Sequence, residues 1–173
     1  MRGGVRVLDA ARDGDEAVPM DATTRDLQRF VDAQAPVYAQ VCAELAAGRK
    51  TSHWMWFVFP QLAALGRSAT ARFYGIASKA EALAYWLHPV LGPRLRHCTR
   101  LVLATRASSA HALFGSPDDL KLRSCMTLFA AVAGEEPAFT QVLERFYAGE
   151  PDAATLALLG DDAGFPPLGA KPR

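Results

Sequence analysis

Signals for the starts and ends of helices follow one another along this chain and constrain its fold more than any other feature. Ser68 precedes one apolar run, and Ser78 with Glu81 forms the Ser-x-x-Glu capping box ahead of another. Asp152 is placed to cap a short helix further on, and Gly48 to end an early one. Because each signal opens or closes a segment with helical spacing, the sequence predicts one helix after another.

The apolar residues between these signals recur at helical spacing. A pattern that begins at Leu27 continues past Pro36 to Leu45, as one helix with a break or as two helices. Further on, Ser116 and Pro117 are expected to cap and open a long helix. No hairpin turn stands between alternating apolar runs. We expect an all-α fold, a compact orthogonal bundle of about seven to eight helices, with a small sheet as the minority alternative.

The helical signals occupy residues 24–160, which we expect to form one domain. Residues 1–23 are rich in Gly, Asp and Arg, and residues 161–173 are rich in Gly and Pro, so both are expected to be flexible tails. With 173 residues, 50% of them hydrophobic and 21% charged, the chain has ample material for one core.

Charge and composition exclude several classes of protein. Nineteen Lys and Arg against eighteen Asp and Glu leave a formal charge of +1, which does not fit general nucleic-acid binding. The most apolar stretch, residues 54–60, is far shorter than the roughly 20 residues that span a bilayer, and the N-terminus does not resemble a secretory signal. The widely spaced Cys42, Cys98 and Cys125 predict buried, reduced thiols in a cytoplasmic protein. A monomer and a small homo-oligomer both fit.

Common catalytic signatures are missing from the sequence. The four histidines lack H-x-x-x-H spacing and there is no C-x-x-C, so no metal site is predicted. A complete phosphate loop and a G-x-S-x-G elbow are also absent. The sequence therefore leaves the cofactor unknown.

The most unusual segment is residues 48–61, which crowds aromatic side chains around a histidine. Trp54 and Trp56 lie within three residues of His53, and Gln61 follows. One interpretation is that the aromatic residues fill the core and His53 satisfies a buried backbone group. The other is a ligand site, in which a flat ring such as a nucleobase stacks on an indole while His53 or Gln61 binds its polar edge.

A second group of polar residues lies at the start of the helix expected after Pro117. Asp118, Lys121 and Ser124 stand at i, i+3 spacing, so they share one face and could floor a polar pocket. The simpler alternative is that the adjacent acids complement the helix dipole and that Asp119 pairs with Arg123. The candidate catalytic residues are His53, Asp118 and Lys121.

The corner at His88 and Pro89 is the third candidate. Pro89 is expected to open a helix, and Arg94 would clamp a phosphate or carboxylate if the corner is functional. Otherwise His88 caps the last carbonyls of the preceding helix. The candidate ligand-binding residues are Trp54, Trp56, Gln61, His88 and Arg94.

These segments resemble a bacterial family, the domain of unknown function 1810, some of whose members carry the label calpastatin. The likeness covers residues 26–30, 48–61, 81–95 and 114–129, nearly the whole expected domain. It implies a mainly helical fold of the type seen in a mycobacterial member, and it implies no activity. The order of elements also resembles the NADAR family of ADP-ribose-linked N-glycoside hydrolases, but Ser52 stands where a glutamate is expected beside His53.

Two functions follow as hypotheses. The first is a site for a nucleotide or ADP-ribose-like small molecule, extended to N-glycoside hydrolysis if Asp118 or Asp119 orients a water. The alternative is a non-enzymatic protein-interaction domain that uses an exposed aromatic patch. The sequence leaves open whether the chain is an enzyme.

Overall fold

Cap residues and apolar spacing place the helices of this protein, whose computed structural model describes residues 22–160. A 3₁₀ helix, Ala63–Leu65, lies between the third and fourth α-helices. The described part contains ten α-helices: α1 Ala22–Gln34, α2 Tyr38–Ala47, α3 Met55–Val58, α4 Ala69–Phe73, α5 Lys79–Leu87, α6 Leu91–Ala104, α7 Ala110–Phe114, α8 Asp118–Val132, α9 Ala138–Tyr147 and α10 Ala153–Leu159.

The all-α prediction is confirmed, together with several caps. Ser68 Oγ accepts a hydrogen bond from the first turn of α4 at 3.1 Å, and Asp152 does the same for α10 at 2.9 Å. Ser78 caps α5, but Glu81 accepts from the N–H of Ala77, one residue before the position that a standard capping box uses. Gly48 ends α2 in the left-handed region, at a φ of 76°.

Helix boundaries differ from the predictions near prolines and in short segments. The pattern from Leu27 to Leu45 forms two helices, and Pro36 lies in the turn between them. Helix α8 begins at Asp118 without a side-chain cap, so the roles expected of Ser116 and Pro117 are wrong by one position. Helices α3 and α7 are only four and five residues long, too short to reveal a period. They raise the number of helices above the predicted seven to eight.

The two predicted tails fall outside the described residues, apart from residues 22 and 23, which belong to α1. Within residues 22–160, the only sheet-like pairing is an isolated parallel bridge between Leu62 and Ile76. No helix of the described part is both long enough and apolar enough to cross a membrane.

Helix α8 forms the centre of the core and packs against α5, α7, α9 and α10. Its Phe129 ring lies 5.3 Å from the ring of Tyr85 and 5.9 Å from that of Phe139, measured between centroids. These rings are completely buried, and each large apolar side chain removed from water contributes about 1.5–3 kcal/mol. The core therefore fixes α8, whose first turn carries the polar residues described below.

Helices α5 and α6 approach so closely at Gly92 that only glycine fits. A Cβ atom at this position would lie 2.0 Å from the carbonyl oxygen of Trp86. Backbone atoms would have to move to admit it, and such overpacking costs more than the helix-propensity gain of alanine.

We expect Gly92→Ala to lower the free energy of unfolding by about 3 kcal/mol. Gly134→Ala is the matched control, because a Cβ atom there meets nothing within 4 Å, and it should change stability by less than about 0.5 kcal/mol. Urea unfolding of the two variants measures the difference. Equal midpoints for both variants would contradict the close approach.

Candidate functional site

The buried carboxylate of Glu44 holds the segment between α2 and α3. Its oxygens accept hydrogen bonds from the backbone N–H groups of Thr51 and Ser52, from both of their hydroxyls, and from the indole of Trp54 at 3.2 Å. Burial alone would raise the pKa of Glu44, but these donors outweigh it and lower the pKa to about 2. One charged group thus fixes residues 51–54.

Trp54 belongs to the core and not to a ligand platform. Its side chain is 1% exposed, and its ring centroid lies 6.2 Å from that of Phe59 and 6.4 Å from that of Phe114. Because its N–H is bonded to Glu44, neither the ring nor its polar edge is available to a nucleobase. The core interpretation describes Trp54 correctly, and its predicted stacking role does not fit the geometry.

Two lysines share the carboxylate of Asp118 at the start of α8. Lys50 Nζ lies 2.8 Å from one oxygen, and Lys121 Nζ lies 3.5 Å from the other. The Lys50 side chain is 7% exposed, and its ammonium stands 5.1 Å from the centroid of the Trp54 ring. Its backbone N–H donates to the carbonyl of Leu113 in α7, at 2.8 Å. Lys50 could not be chosen from the sequence, because nothing in residues 48–51 indicates whether Arg49 or Lys50 points into the protein.

Lys121 joins this ion cluster to Trp56. Its Nζ lies 5.3 Å from the centroid of the Trp56 ring, within the range of a cation–π contact. Trp56 is partly exposed, unlike Trp54. The structure therefore brings together three residues predicted from two separate clusters, Trp56, Asp118 and Lys121.

A cavity of about 680 Å³ opens beside Lys121, and we call it the α4–α8 cavity. It lies between the 3₁₀ helix and α4 on one side and α8 and the start of α10 on the other. Its volume is in the range of about 300–1,000 Å³ that is typical of small-molecule sites. Leu65, Ala71 and Leu120 contribute apolar wall. The polar lining includes Gln61, Arg67, Ser68, Lys121, Arg123 and Asp152.

Gln61 reaches the cavity because the chain is pinned next to it. Its carbonyl accepts a hydrogen bond from the N–H of Ile76 at 2.9 Å, beside the Leu62–Ile76 bridge. Sequence reasoning predicted Gln61 and Lys121 as site residues, but not Arg67 or Asp152. Arg67 and Asp152 lie far apart in the sequence and are brought together only by the fold. The cap signal of Asp152 gave no indication of a binding role.

Some charged side chains around the cavity are paired with an opposite charge, and others are not. Arg123 pairs with Glu150, with 3.3 Å between nitrogen and oxygen, and not with Asp119 as the i, i+4 spacing predicts. Asp119 instead lies 3.3 Å from Nδ1 of His111. Arg67 makes no ion pair within residues 22–160. The cavity wall is therefore suited to an anionic ligand.

His53 and Arg94 do not line this cavity. His53 is exposed at the surface. Arg94 lies under the ring of Tyr38, 4.7 Å from its centroid, and donates to the amide oxygen of buried Gln34 at 3.4 Å. These contacts give Arg94 a packing role between α1, α2 and α6, away from the other candidates.

His88 also lies elsewhere, at the corner between α5 and α6. Its Nδ1 accepts hydrogen bonds from the backbone N–H groups of Val90 at 3.1 Å and Leu91 at 3.3 Å. The ring therefore caps the start of α6. The backbone N–H of His88 donates to the carbonyl of Tyr85 at 3.2 Å, so the expectation that His88 caps the last carbonyls of α5 is confirmed for its backbone and not for its ring. Pro89 accordingly precedes α6, which starts at Leu91. Burial lowers the pKa of His88, which favours the neutral ring that this cap requires.

Two further observations concern metal and thiol chemistry. Across the described part of the chain, no three His, Cys, Asp or Glu side chains gather as a metal site would need. Cys42, Cys98 and Cys125 are free thiols, but only Cys98 and Cys125 are buried as predicted, because Cys42 is partly exposed. Burial raises the pKa of Cys98 to about 12. A thiol with so high a pKa is a poor nucleophile.

Replacing Glu44 by glutamine tests the network that holds residues 51–54. Glu44→Gln should lower the free energy of unfolding at pH 7 by about 3 kcal/mol, because an amide cannot accept all of these hydrogen bonds. The folded-state pKa of about 2 lies below the ordinary 4.5, so the stability from ionised Glu44 is full above pH 4.5 and is lost as pH falls towards 2. The difference between the proteins should shrink over that range.

Exposed Glu135 provides the control, since Glu135→Gln removes a carboxylate without hydrogen bonds in the described part. Chemical unfolding at pH 7, 4.5 and 3 measures all three proteins. A deficit of Glu44→Gln that stays constant with pH would overturn the account.

Comparison with known proteins found a similar crystal structure and a matching family model. A crystal structure of the conserved hypothetical protein Rv1873 from Mycobacterium tuberculosis is similar, with 55% sequence identity and a TM-score of 0.76. The match covers 78% of this chain and 96% of that one. No curated protein matches. The family model described as "Protein of unknown function (DUF1810)" matches residues 24–159, so the resemblance noted in the sequence is confirmed. The chain belongs to the DUF1810 family.

Proposed function

We propose that this protein binds a small nucleotide-like molecule, one that combines an anionic group with a flat ring, in the α4–α8 cavity. The observation that carries the proposal is the position of Lys121. Lys121 lines the cavity, and its ammonium stands over the partly exposed ring of Trp56, 5.3 Å from the centroid, although Trp56 is not itself a lining residue. Lys121 thus lies next to the Trp56 indole, on which a ring can stack, and next to a cavity that can hold an anion.

The other cavity residues support the same class of ligand. Arg67 supplies a planar guanidinium group, which matches phosphate oxygens in pairs. The Gln61 amide can read the polar edge of a ring, as expected from the sequence. The apolar wall would exclude water from the bound molecule. ADP-ribose and simpler nucleotides both fit this description.

Hydrolysis of an N-glycosidic bond has less support than binding. Both Asp118 oxygens already face ammonium groups, at 2.8 and 3.5 Å. A carboxylate that faces two ammonium groups positions those cations, and Asp118 does not line the cavity in which a water would have to attack. His53 does not line the cavity either. We therefore assign Lys121 to binding, and Asp118 to holding Lys121 in place.

The aromatic segment gives little support to the alternative of a protein-interaction patch. Trp54 and Phe59 are buried, and Trp56 and Phe57 are only partly exposed. Their exposed faces do not add up to the contiguous apolar surface that such a patch needs.

Thermal unfolding against AMP, NAD and ADP-ribose tests the proposal. A ligand at 100 times its dissociation constant adds roughly 2.7 kcal/mol of stability, which should raise the melting temperature by several degrees. Lys121→Met should abolish the shift. Arg100→Met is the matched control, because Arg100 is 62% exposed and does not line the α4–α8 cavity, and it should retain the shift.

Two results would contradict the proposal. A flat panel would remove the support for a nucleotide-like ligand. A shift that survives in Lys121→Met would place the bound molecule outside the α4–α8 cavity.

A further inference from the structure

We infer that Lys50, which does not touch the α4–α8 cavity, sets the charge of that cavity by neutralising Asp118, and that the group bound beside Lys121 is a phosphate. The inference rests on the proposed function. It concerns a positioning residue and the class of group that the site selects.

The charges of three side chains carry the argument. Lys50 and Lys121 face the two oxygens of one carboxylate, so the cluster has an excess of one positive charge. The shorter contact belongs to Lys50, at 2.8 Å against 3.5 Å for Lys121. Asp118 is thus engaged mainly by Lys50. The uncompensated charge lies on the Lys121 side, where the cavity is.

Burial explains why Lys50 cannot release Asp118. Its side chain is 7% exposed, whereas that of Lys121 is 23% exposed. Moving the buried ammonium away from Asp118, its only ion partner within residues 22–160, would leave an isolated charge against the Trp54 ring, which is costly. Lys121 has no such constraint, so a ligand can take it as a partner.

The nearby charges favour phosphate over an uncharged ligand. Arg123 is paired with Glu150, and Asp152 is engaged as the cap of α10. Arg67 has no ion partner in the described part of the chain and lines the same cavity. Lys121 and Arg67 are therefore the lining cations left for a ligand, and phosphate oxygens are strong acceptors for both kinds of cation.

Four proteins form a charge series that tests the inference. Lys50→Met leaves the Asp118 and Lys121 pair neutral, and Asp118→Asn leaves both lysines uncompensated. The double variant, Lys50→Met with Asp118→Asn, restores the single excess charge of the natural protein. Calorimetric titration with AMP, and with adenosine as the matched probe without phosphate, measures the affinity of each protein.

We expect AMP to bind the natural protein at least about tenfold more tightly than adenosine, the equivalent of one charge-assisted hydrogen bond. Lys50→Met should weaken AMP binding about tenfold and leave adenosine unchanged. The double variant should return AMP affinity to within about threefold of the natural protein, and Asp118→Asn should strengthen it. A purely structural role for Lys50 would not restore affinity in the double variant, because the whole ion pair is then lost.

The outcomes separate this inference from the proposed function. A double variant as weak as Lys50→Met would overturn the inference and leave the proposed function in place. Adenosine binding as tightly as AMP would overturn the inference and also the anionic part of the proposed function. Absence of binding by AMP, NAD and ADP-ribose would overturn both. If Lys50→Met does not fold by circular dichroism, Asp118→Asn and the double variant carry the test, and weaker AMP binding in Asp118→Asn would contradict the inference.

Discussion

The buried carboxylate of Glu44 is the interaction on which the candidate site depends. It draws the N–H groups of Thr51 and Ser52 and the indole of Trp54 to one point. Trp54 is thereby turned into the core, and the backbone that precedes it is held against α7. Lys50 can then reach only inward, to the first turn of α8. Glu44 therefore positions Lys50, although Glu44 is not itself one of the candidate site residues.

The Lys50–Asp118 pair is better explained by its effect on the position of the Asp118 carboxylate than by a contribution to the free energy of unfolding. Buried ion pairs contribute little net stability compared with apolar residues of the same shape, because both charges lose their hydration. The pair nevertheless fixes the Asp118 carboxylate beside Lys121, and Lys121 lines the α4–α8 cavity. Under the proposed function, its effect is to leave Lys121 free for an anionic ligand.

The fold class could be predicted from the sequence because caps and apolar spacing are local signals. Ser68, Ser78 and Asp152 cap helices as expected. Boundaries next to proline, and helices of one turn such as α3, depend on tertiary contacts and so escaped prediction. His88 shows the same limit: sequence suggests a cap, but only the structure shows that its acceptor nitrogen faces the following helix.

The candidate site was only partly predictable for a similar reason. Trp56, Gln61, Asp118 and Lys121 were distinguishable because polar groups beside aromatic ones are unusual. Sequence could not divide the aromatic residues between core and surface, since Trp54 and Trp56 differ by only two positions and yet face different surroundings. Lys50 reaches Asp118, and Arg67 and Asp152 line one cavity, only because the fold brings together segments that lie far apart in the chain.

The three tryptophans offer the most direct test of the central claim that a ligand binds beside Trp56. Each indole N–H gives its own signal in a ¹H–¹⁵N NMR spectrum, and the three lie at different places: Trp54 in the core, Trp56 at Lys121, and Trp86 against Phe139. During a titration with AMP, the account predicts a shift of the Trp56 signal while those of Trp54 and Trp86 stay in place. A Trp56 signal that does not move while the Trp86 signal does would contradict the account.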